Sequence, residues 1–427
     1  MSKNKKDMSE EKKKLLVLGG SASMIDLVKT AKRMGIYTIV TDWNNVTDSP
    51  AKKHADSYWD LSIMDYDILV NKAEDEGVDG VITCMTDSYL TPYRILCKRL
   101  GLPCYLTEQT EEISVNKLQF KKACSKFDIP VSKRYFVDVN DDKELCGLPF
   151  PVVVKPADGS GSRGFRVCYS TEDVKSAYKT AEGYSSSKQV IIEDYIPYDS
   201  TIIHYTLIDG KCLYSGMSDK ISCSFKSSGS SVMGLQIFPS KGEKEYLNTL
   251  DVKVREMFET LGFKNGPLWI EAFYDGQNSF VFNEMGYRFG GSFTYYPVQW
   301  MYNFSQMEFL INFAVNNETK KIEPKRNACE NHYCILPVHC KPGIIKSIEG
   351  ENEIFNRGDV YAYAPKHFEG QEIKDWGSAL QVFCYLHIVF TDKIQLKDSV
   401  KRILGTLKAY DEANNNLLYT LFDIDNL

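Results

Sequence analysis

A lysine followed by a glycine-rich loop is the strongest chemical signal in the sequence. Lys155 ends the apolar run Val152–Val154, and Pro-Ala-Asp-Gly-Ser-Gly-Ser-Arg-Gly follows, ending at Gly164. Glycines adopt positive φ freely, so that backbone N–H groups can converge on an anion, and the lysine adds a fixed positive charge. The pattern predicts a phosphate-binding loop between two strands. It is not a Walker loop, because the lysine precedes the glycines; a flexible surface hairpin with a solvated lysine is the alternative.

Two glutamates on adjacent predicted strands form the second signal. Residues 268–274 and 279–284 flank Asp-Gly-Gln-Asn, which is typical of an antiparallel hairpin. In a hairpin without a bulge, Glu271 faces Phe282, and Glu284 lies on the diagonal and on the same face, about 7–8 Å away. Two carboxylates beside a phosphate-binding loop suit Mg²⁺ or Mn²⁺. A solvated polar face is the alternative.

An arginine follows the second glutamate in Met285-Gly-Tyr-Arg288-Phe-Gly-Gly-Ser. An arginine next to paired glycines can hold a carboxylate or phosphate bidentately while the backbone approaches. A surface turn is the alternative. Four aromatic residues further along suit either an acceptor pocket or, more commonly, core packing: Tyr295, Tyr296, Trp300 and Tyr302.

The elements that must position these residues begin with a doubly wound α/β domain, predicted for residues 14–110. Apolar runs such as Leu15–Leu18 alternate with stretches of helical periodicity, which indicates a parallel sheet. Gly19 and Gly20 follow the first strand, but the spacing is not G-x-G-x-x-G. A tight turn is therefore favoured over a dinucleotide site. Asp42 is expected at the same rim, because it follows the next strand.

The remaining sequence predicts two further domains and a tail. Residues 111–324 are expected to form an α+β domain that begins with a helix through Val115 and Phe127 and contains a mobile lid at about 130–197. In that domain, Asp209-Gly210 is a hairpin turn signal. Residues 325–427 predict a small mixed α+β domain, and residues 1–13 a solvated tail.

Composition narrows the class of protein. The chain has 427 residues, with 51 Lys and Arg against 57 Asp and Glu. It therefore lacks the basic excess that is typical of nucleic-acid-binding proteins. The 12 cysteines show no C-x-x-C pair, and no long apolar run suggests a membrane span. We expect a cytoplasmic protein. One stretch gathers cysteines and histidines, but their spacing fits no standard zinc motif, so we expect buried side chains in place of a zinc site. These residues are Cys329, His332, Cys334, His339 and Cys340.

The order of these motifs resembles the ATP-grasp superfamily. The strings are Val115-Asn-Lys117, the loop from Lys155, Ile192-Glu-Asp-Tyr-Ile-Pro, Glu271 and Asn283-Glu-Met-Gly-Tyr-Arg. The resemblance covers nearly the whole chain and is closest to the biotin carboxylase, carbamoyl-phosphate synthase and amino-acid ligase branch. It implies an α+β ATP-grasp fold after the first domain and an ATP-dependent enzyme that uses Mg²⁺ or Mn²⁺. It also implies small-molecule substrates and a possible homodimer.

The resemblance also implies a role for each matching residue. Lys117 and Lys155 neutralise the ATP phosphates, and Glu271 and Glu284 bind the metal ion. Arg288 stabilises an acyl phosphate. The loop residues that cover the phosphates are Ser160, Gly161, Ser162 and Gly164. The residues that meet adenine are Glu193, Asp194, Tyr195 and Ile196. The residues that reach the transferring phosphoryl group are Lys220 and Lys226.

One position departs from the family pattern. The family usually has Glu-x-Asn-x-Arg, in which the asparagine is a third metal ligand, and Gly286 stands at that place here. Asn283 precedes Glu284, and strict alternation along a strand would turn it to the opposite face. We expect an amide-forming carboxylate–amine ligase that acts through an acyl phosphate. A biotin-carboxylase-like or purine-pathway enzyme, or an ATP-binding regulator with weak turnover, is the alternative.

Overall fold

The computed structural model describes residues 12–159, 161, 163–225, 231–319, 324–327 and 331–426. The chain divides into two compact units, which comprise residues 1–106 with 307–321 and residues 107–306 with 322–427. The three domain ranges expected from the sequence stay predictions. Within the described residues, no helix combines the length and the apolar character needed to cross a membrane.

A four-stranded parallel sheet organises the first unit. Its elements are β1 (Lys14–Leu18), α1 (Ile25–Arg33), β2 (Tyr37–Thr41), β3 (Ser57–Trp59), α2 (Tyr66–Glu76), β4 (Gly80–Ile82) and α3 (Leu90–Leu100). The strand order is β3-β2-β1-β4, so the direction of winding reverses at β1. This is the doubly wound arrangement that the alternation of strands and helices predicted.

A carboxylate closes the turn after β1. Asp42 accepts hydrogen bonds at 2.8 Å from the backbone N–H groups of Gly20 and Asn44. Because this carboxylate already occupies a backbone N–H group that an anion would use, the geometry favours the tight turn over a dinucleotide site.

The second unit opens with two helices and a small sheet. The elements are α4 (Glu108–Val115), α5 (Lys117–Lys126), β5 (Arg134–Tyr135), α6 (Asp142–Cys146), β6 (Val152–Pro156), β7 (Arg166–Cys168), α7 (Thr171–Tyr184) and β8 (Val190–Asp194). The strand order is β5-β8-β6-β7. Val152 and Val154 pack with Val174, Ala177 and Ala181 of α7 in one apolar cluster, which anchors β6 from one side.

The helix predicted through Val115 and Phe127 is confirmed as α5 from Lys117 onwards, but the predicted segment is not one continuous helix. Asn116 has extended backbone angles and divides it into α4 and α5. The Asn116 side chain accepts hydrogen bonds from the N–H groups of Leu118 and Gln119, as an N-cap residue does. Lys117 therefore becomes the first residue of a new helix.

A nine-stranded sheet forms the larger part of the second unit. Its longer elements and their helices are β9 (Ser200–Ile208), β10 (Lys211–Ser224), β11 (Ser231–Phe238), α8 (Glu243–Thr249), α9 (Asp251–Thr260), β12 (Gly266–Tyr274), β13 (Phe280–Gly286) and α10 (Tyr295–Tyr302). The predicted hairpin turn at Asp209-Gly210 is confirmed, with φ of 50° and 81° between β9 and β10. The helix α11 (Gln306–Asn316) lies almost wholly in the first unit.

The last hundred residues extend the same large sheet. Their elements are β14 (His332–Cys340), β15 (Gly343–Ile344), β16 (Ser347–Glu349), β17 (Val360–Pro365), β18 (Glu372–Ile373), β19 (Val382–Phe390), α12 (Lys393–Thr406), β20 (Lys408–Tyr410) and β21 (Leu418–Tyr419). The strand order is β13-β12-β9-β10-β11-β14-β19-β17, with β21 beside β14. Leu386 and Ile388 of β19 pack with Leu396, Val400 and Ile403 of α12.

The cysteines and histidines of β14 lie in this sheet. Cys334, His339 and Cys340 are buried, whereas Cys329 lies outside the described residues. Burial lowers the pKa of His339 to about 4, so its ring is neutral at physiological pH. Among the residues that the structure describes, no three Cys, His, Asp or Glu side chains are grouped as a metal site requires.

Candidate active site

A cavity of about 250 Å³ lies in the second unit, lined by residues of the small sheet, the large sheet and the start of α5. The structure brings most of the predicted site residues to it: Lys117, Lys155, Gly161, Glu193, Asp194, Tyr195, Ile196, Lys220, Glu271 and Glu284. The described residues that line it do not include Gly164 or Arg288. Ser160, Ser162 and Lys226 lie outside the described residues.

Lys155 is buried at the end of β6, as its apolar neighbours predicted. Its Nζ lies 2.5 Å from Glu193 Oε1 on β8 and donates a hydrogen bond of 2.6 Å to Asn283 Oδ1 on β13. Only about 5% of the residue is exposed. The alternative of a solvated surface lysine is therefore wrong, and one ammonium group links the small sheet to the large one.

Glu193 is a buried carboxylate between two lysines. Besides Lys155, it accepts a short hydrogen bond from Lys121 of α5. Burial would raise the pKa of Glu193, but the charges of Lys155 and Lys121 outweigh it and hold the pKa at about 2. Burial and the charge of Lys155 lower the pKa of Lys121 to about 8. Sequence reasoning missed Lys121, although it lies one helical turn after Lys117.

The depressed pKa of Glu193 makes the folded chain sensitive to acid. Below its ordinary pKa of 4.5 the unfolded chain binds a proton that the folded chain does not bind until about pH 2. Stability from this group is therefore complete above pH 4.5 and is lost as the pH falls towards 2. We expect wild type to lose about 2 kcal/mol more than Glu193→Gln between about pH 6 and pH 3, measured by urea unfolding. Equal losses would contradict the prediction.

Glu271 and Glu284 face each other directly. The predicted diagonal register is wrong for two reasons. Tyr274 pairs with Phe280 instead of Ser279, and a β-bulge then shifts the pairing so that Ala272 pairs with Phe282 but Glu271 with Glu284. Asn283 is the extra residue of the bulge. Its predicted orientation to the opposite face is also wrong, because it lines the cavity together with both glutamates.

Each glutamate of this pair is compensated by a lysine from another element. Lys220 Nζ on β10 lies 3.0 Å from Glu271 Oε1, and Lys117 Nζ lies 3.1 Å from Glu284 Oε2. Burial would raise the pKa of Glu284, but nearby Lys117 and Lys155 lower it. Burial would lower the pKa of Lys220, but Glu271 raises it. Each carboxylate of the pair therefore faces an ammonium group in the cavity.

The glycine loop and the hinge, residues 194–196 at the end of β8, border the cavity from the small sheet. Gly161 has a φ of 66° and lines the cavity, and Lys117 Nζ donates a 2.5 Å hydrogen bond to the Gly159 carbonyl oxygen. Gly164 has a φ of 74° and packs near Tyr184 of α7 instead. The backbone N–H of Asp194 donates to the Lys133 carbonyl oxygen. The loop conformation at Gly161 is the positive φ that the sequence predicted.

Arg288 and the aromatic residues after it are packed rather than open. The Arg288 guanidinium lies 5.2 Å from the Trp269 ring centre and donates a 2.9 Å hydrogen bond to the Phe289 carbonyl oxygen. Tyr295 and Tyr302 are buried, and Trp300 contacts the Tyr333 ring. These contacts favour the core interpretation of the aromatic residues over an acceptor pocket.

Trp269 also explains the glycine at position 286. A Cβ atom built on Gly286 would lie 2.5 Å from the Trp269 ring, a separation that requires the ring or the strand to move. We expect Gly286→Ala to lower the free energy of unfolding by about 1–3 kcal/mol in urea titrations. Gly183→Ala, at a site where a Cβ meets nothing within 4 Å, is the matched control and should be neutral or slightly stabilising. Equal effects would refute the steric explanation.

A family model described as the ATP-grasp domain matches residues 148–295, the stretch that contains Lys155, Glu193, Lys220, Glu271 and Glu284. Residues 148–295 of the chain thus match an ATP-grasp domain. The predicted resemblance to the ATP-grasp superfamily and the predicted fold class are confirmed. The matched ATP-grasp stretch runs from just before β6 to the start of α10 and supplies every strand that borders the cavity.

Curated relatives of this chain include two proteins named formate-dependent phosphoribosylglycinamide formyltransferase. The one from Sulfurisphaera tokodaii is 27% identical over 209 residues, which are 47% of this chain and 52% of that protein. The one from Methanocaldococcus jannaschii is 30% identical over 196 residues, 44% of this chain and 49% of that protein. The chain thus spans about half the length of the curated relatives it matches.

Solved structures show the same ATP-grasp fold over almost the whole chain. Phosphoribosylglycinamide synthetase from Anaerococcus prevotii has a TM-score of 0.73 at 19% identity and covers 94% of this chain and 100% of that one. L-amino acid ligase from Bacillus licheniformis has 0.72 at 17%, covering 95% and 100%. The biotin carboxylase domain of Hydrogenobacter thermophilus 2-oxoglutarate carboxylase, solved with MgADP, has 0.76 at 16%, covering 95% and 91%. At these identities the likeness shows the fold alone.

Proposed function

We propose that the chain is an ATP-dependent ligase that joins a carboxylate to an amine through an acyl phosphate and releases ADP and phosphate. The observation that carries the proposal is the alternation of ammonium and carboxylate groups around one cavity between two sheets. A triphosphate and a divalent cation complement such a lining, because the lysines match the phosphate oxygens and the glutamates match the cation.

The lysines would bind and orient the triphosphate. Lys155 and Lys117 come from different elements. Lys117 now contacts Glu284, a carboxylate that a nucleotide-bound cation would neutralise instead, whereas Lys155 is held by Glu193. Lys220 lies on the opposite wall beside Glu271 and would approach the transferring phosphoryl group. Fixed positive charge of this kind offsets the repulsion between an attacking carboxylate and the γ-phosphate, and positioning supplies much of the remaining rate enhancement.

Glu271 and Glu284 would hold Mg²⁺ or Mn²⁺. Their direct pairing presents hard oxygen donors at one place on the cavity wall, and carboxylate oxygens are the donors that these cations prefer. When bound, the cation supplies charge neutralisation for phosphoryl transfer. Glu193 keeps Lys155 and Lys121 in place, and the hinge from Asp194 to Ile196 would border the adenine.

Arg288 would stabilise the acyl phosphate. Its support in the geometry is weaker than that of the lysines, because its guanidinium packs against Trp269 outside the cavity lining. The role requires the arginine to turn towards the phosphates when substrate binds. Lys226 would act beside Lys220 on the phosphoryl group, and Ser160 and Ser162 would cover the phosphates with Gly161 and Gly164.

The test is release of ADP together with trapping of the acyl phosphate. The protein is incubated with Mg·ATP and pools of carboxylates, each with and without amines, and ADP is followed by a coupled assay. Hydroxylamine should convert the intermediate into a hydroxamate that depends on both ATP and carboxylate. Nucleotide binding without ADP release from any pool would indicate an ATP-binding regulator and would overturn the ligase proposal.

A purine-pathway ligase is the second candidate. It is favoured by the curated relatives, which are named formate-dependent phosphoribosylglycinamide formyltransferases. Formate and phosphoribosylglycinamide should then form the formylated product with one ADP released per product. A biotin-carboxylase-like activity would instead require bicarbonate and biotin in the same assay. Absence of product with these pairs, beside turnover with another carboxylate, would exclude both alternatives.

Location and assembly belong to the same proposal. We propose a cytoplasmic enzyme with small-molecule substrates, in line with the family of its relatives. A homodimer is proposed by likeness to the biotin carboxylase domain, whose structure is described as a dimer. Sedimentation of the purified chain distinguishes a dimer from a monomer.

A further inference from the structure

The bulge in β13 places a third oxygen donor beside the two glutamates. Because Asn283 is the extra residue between Phe282 and Glu284, its side chain enters the cavity instead of pointing away from it. A bulge re-aims one side chain in this way while the flanking residues keep their pairing. Asn283 Oδ1, Glu271 and Glu284 therefore present oxygens to one space.

Each of these three oxygen-bearing side chains is met by an ammonium group. Lys220 Nζ lies 3.0 Å from Glu271 Oε1, and Lys117 Nζ lies 3.1 Å from Glu284 Oε2. Lys155 Nζ donates a hydrogen bond of 2.6 Å to Asn283 Oδ1. The three lysines come from β10, α5 and β6, so the cationic groups reach the oxygens from three directions. Each of the three side chains thus has an oxygen in contact with a cationic group.

The amide oxygen of Asn283 is suited to a third ligand position, because few carboxylates are grouped beside Glu271 and Glu284. Among the described residues no three Asp, Glu, His or Cys side chains are grouped, so a cation at Glu271 and Glu284 needs neutral oxygens to complete its shell. The residue two positions after Glu284 cannot help, because Trp269 occupies the space where a side chain of residue 286 would begin. The bulge side of Glu284 remains, and Asn283 is there.

We propose that Asn283 Oδ1 is a ligand of the divalent cation that Glu271 and Glu284 bind. On binding of the metal–nucleotide complex, Lys155 leaves this oxygen and turns to the phosphates. The inference rests on the proposed function, since it requires a nucleotide and a cation in this cavity. It adds that the affinity of the chain for the cation depends on the amide of Asn283, which strict strand alternation would have directed away from the cavity.

The experiment measures binding without turnover. Calorimetry gives the affinity for ADP in EDTA and for Mn·ADP, and the electron paramagnetic resonance spectrum of bound Mn²⁺ reports its ligands. Asn283→Ala should weaken Mn·ADP binding about tenfold or more and alter the spectrum, with ADP binding in EDTA changed less than threefold. Asn283→Asp, which keeps an oxygen at the same place, should retain Mn²⁺. Asn278→Ala in the exposed turn of the same hairpin is the matched control.

Four results would overturn the inference or its basis. If Asn283→Ala weakens ADP and Mn·ADP equally, Asn283 only positions Lys155. If Asn283→Ala folds and binds Mn·ADP as wild type does, or if Asn283→Asp loses Mn²⁺ while it still binds ADP, the ligand assignment is wrong and the proposed function stands. If wild type binds neither ADP nor Mn·ADP, the proposed function itself fails, which distinguishes the two.

Discussion

Glu284→Gln should reduce ATP turnover by at least about a thousandfold while the fold survives. The substitution keeps the size and hydrogen-bonding oxygen of the side chain but removes the charge that faces both Glu271 and Lys117. A bound cation contributes several kcal/mol to phosphoryl transfer, which corresponds to about a thousandfold in rate. Because Glu284 is partly exposed, the unfolding free energy should change by about 1 kcal/mol or less.

The measurement is ADP release at saturating ATP, with circular dichroism and a urea titration to confirm the fold. Glu256→Gln, on the exposed face of α9, is the charge-matched control and should behave as wild type. Retention of turnover by folded Glu284→Gln would remove the metal-site assignment. Loss of turnover in Glu256→Gln would show that the effect is not local.

Lys155→Ala should lower the affinity for ATP about tenfold to a hundredfold. The variant loses one charged hydrogen bond to the phosphates, which is worth about 1.5–3 kcal/mol. It also leaves Asn283 without this donor and Glu193 with Lys121 as its remaining close cation in the described chain. We therefore expect a second effect, a loss of about 1–3 kcal/mol in the free energy of unfolding.

Calorimetric titration with ATP and urea unfolding measure the two effects separately. Lys179→Ala, an exposed lysine of α7, is the control and should change neither quantity. Unchanged ATP affinity in folded Lys155→Ala would contradict the phosphate role of the β6 lysine. Unchanged stability would mean that the buried contacts with Glu193 and Asn283 contribute little.

The predictable part of the site is the part that strand patterns specify. The apolar run before Lys155 marks a buried strand, and β6 confirms that the lysine ends it. Glu271 and Glu284 lie on adjacent antiparallel strands and both line the cavity, as predicted. Local residue periodicity decides these features, so one sequence suffices to infer them.

The unpredictable part depends on contacts between distant segments. A bulge adds one residue to a strand, and nothing in the alternation around Asn283 signals where that residue is accommodated. Lys121 acquires its importance from a carboxylate 72 residues later in the chain. The packing of Arg288 on Trp269 likewise follows from tertiary structure, whereas the local sequence equally suggests an open anion site.

The junction between β11 and β14 has a consequence for how the chain can be shortened. Strand β14 pairs with β11 through Ile335, Cys334 and Tyr333, which face Gln236, Ile237 and Phe238. The backbone hydrogen bonding of β11 is therefore completed by a strand near the end of the chain. A truncated chain that ends at residue 324 would leave β11 as an unpaired edge strand. Exposed edge strands of this kind promote self-association. Expression of the nucleotide-binding portion in isolation should therefore yield precipitate rather than a dispersed protein.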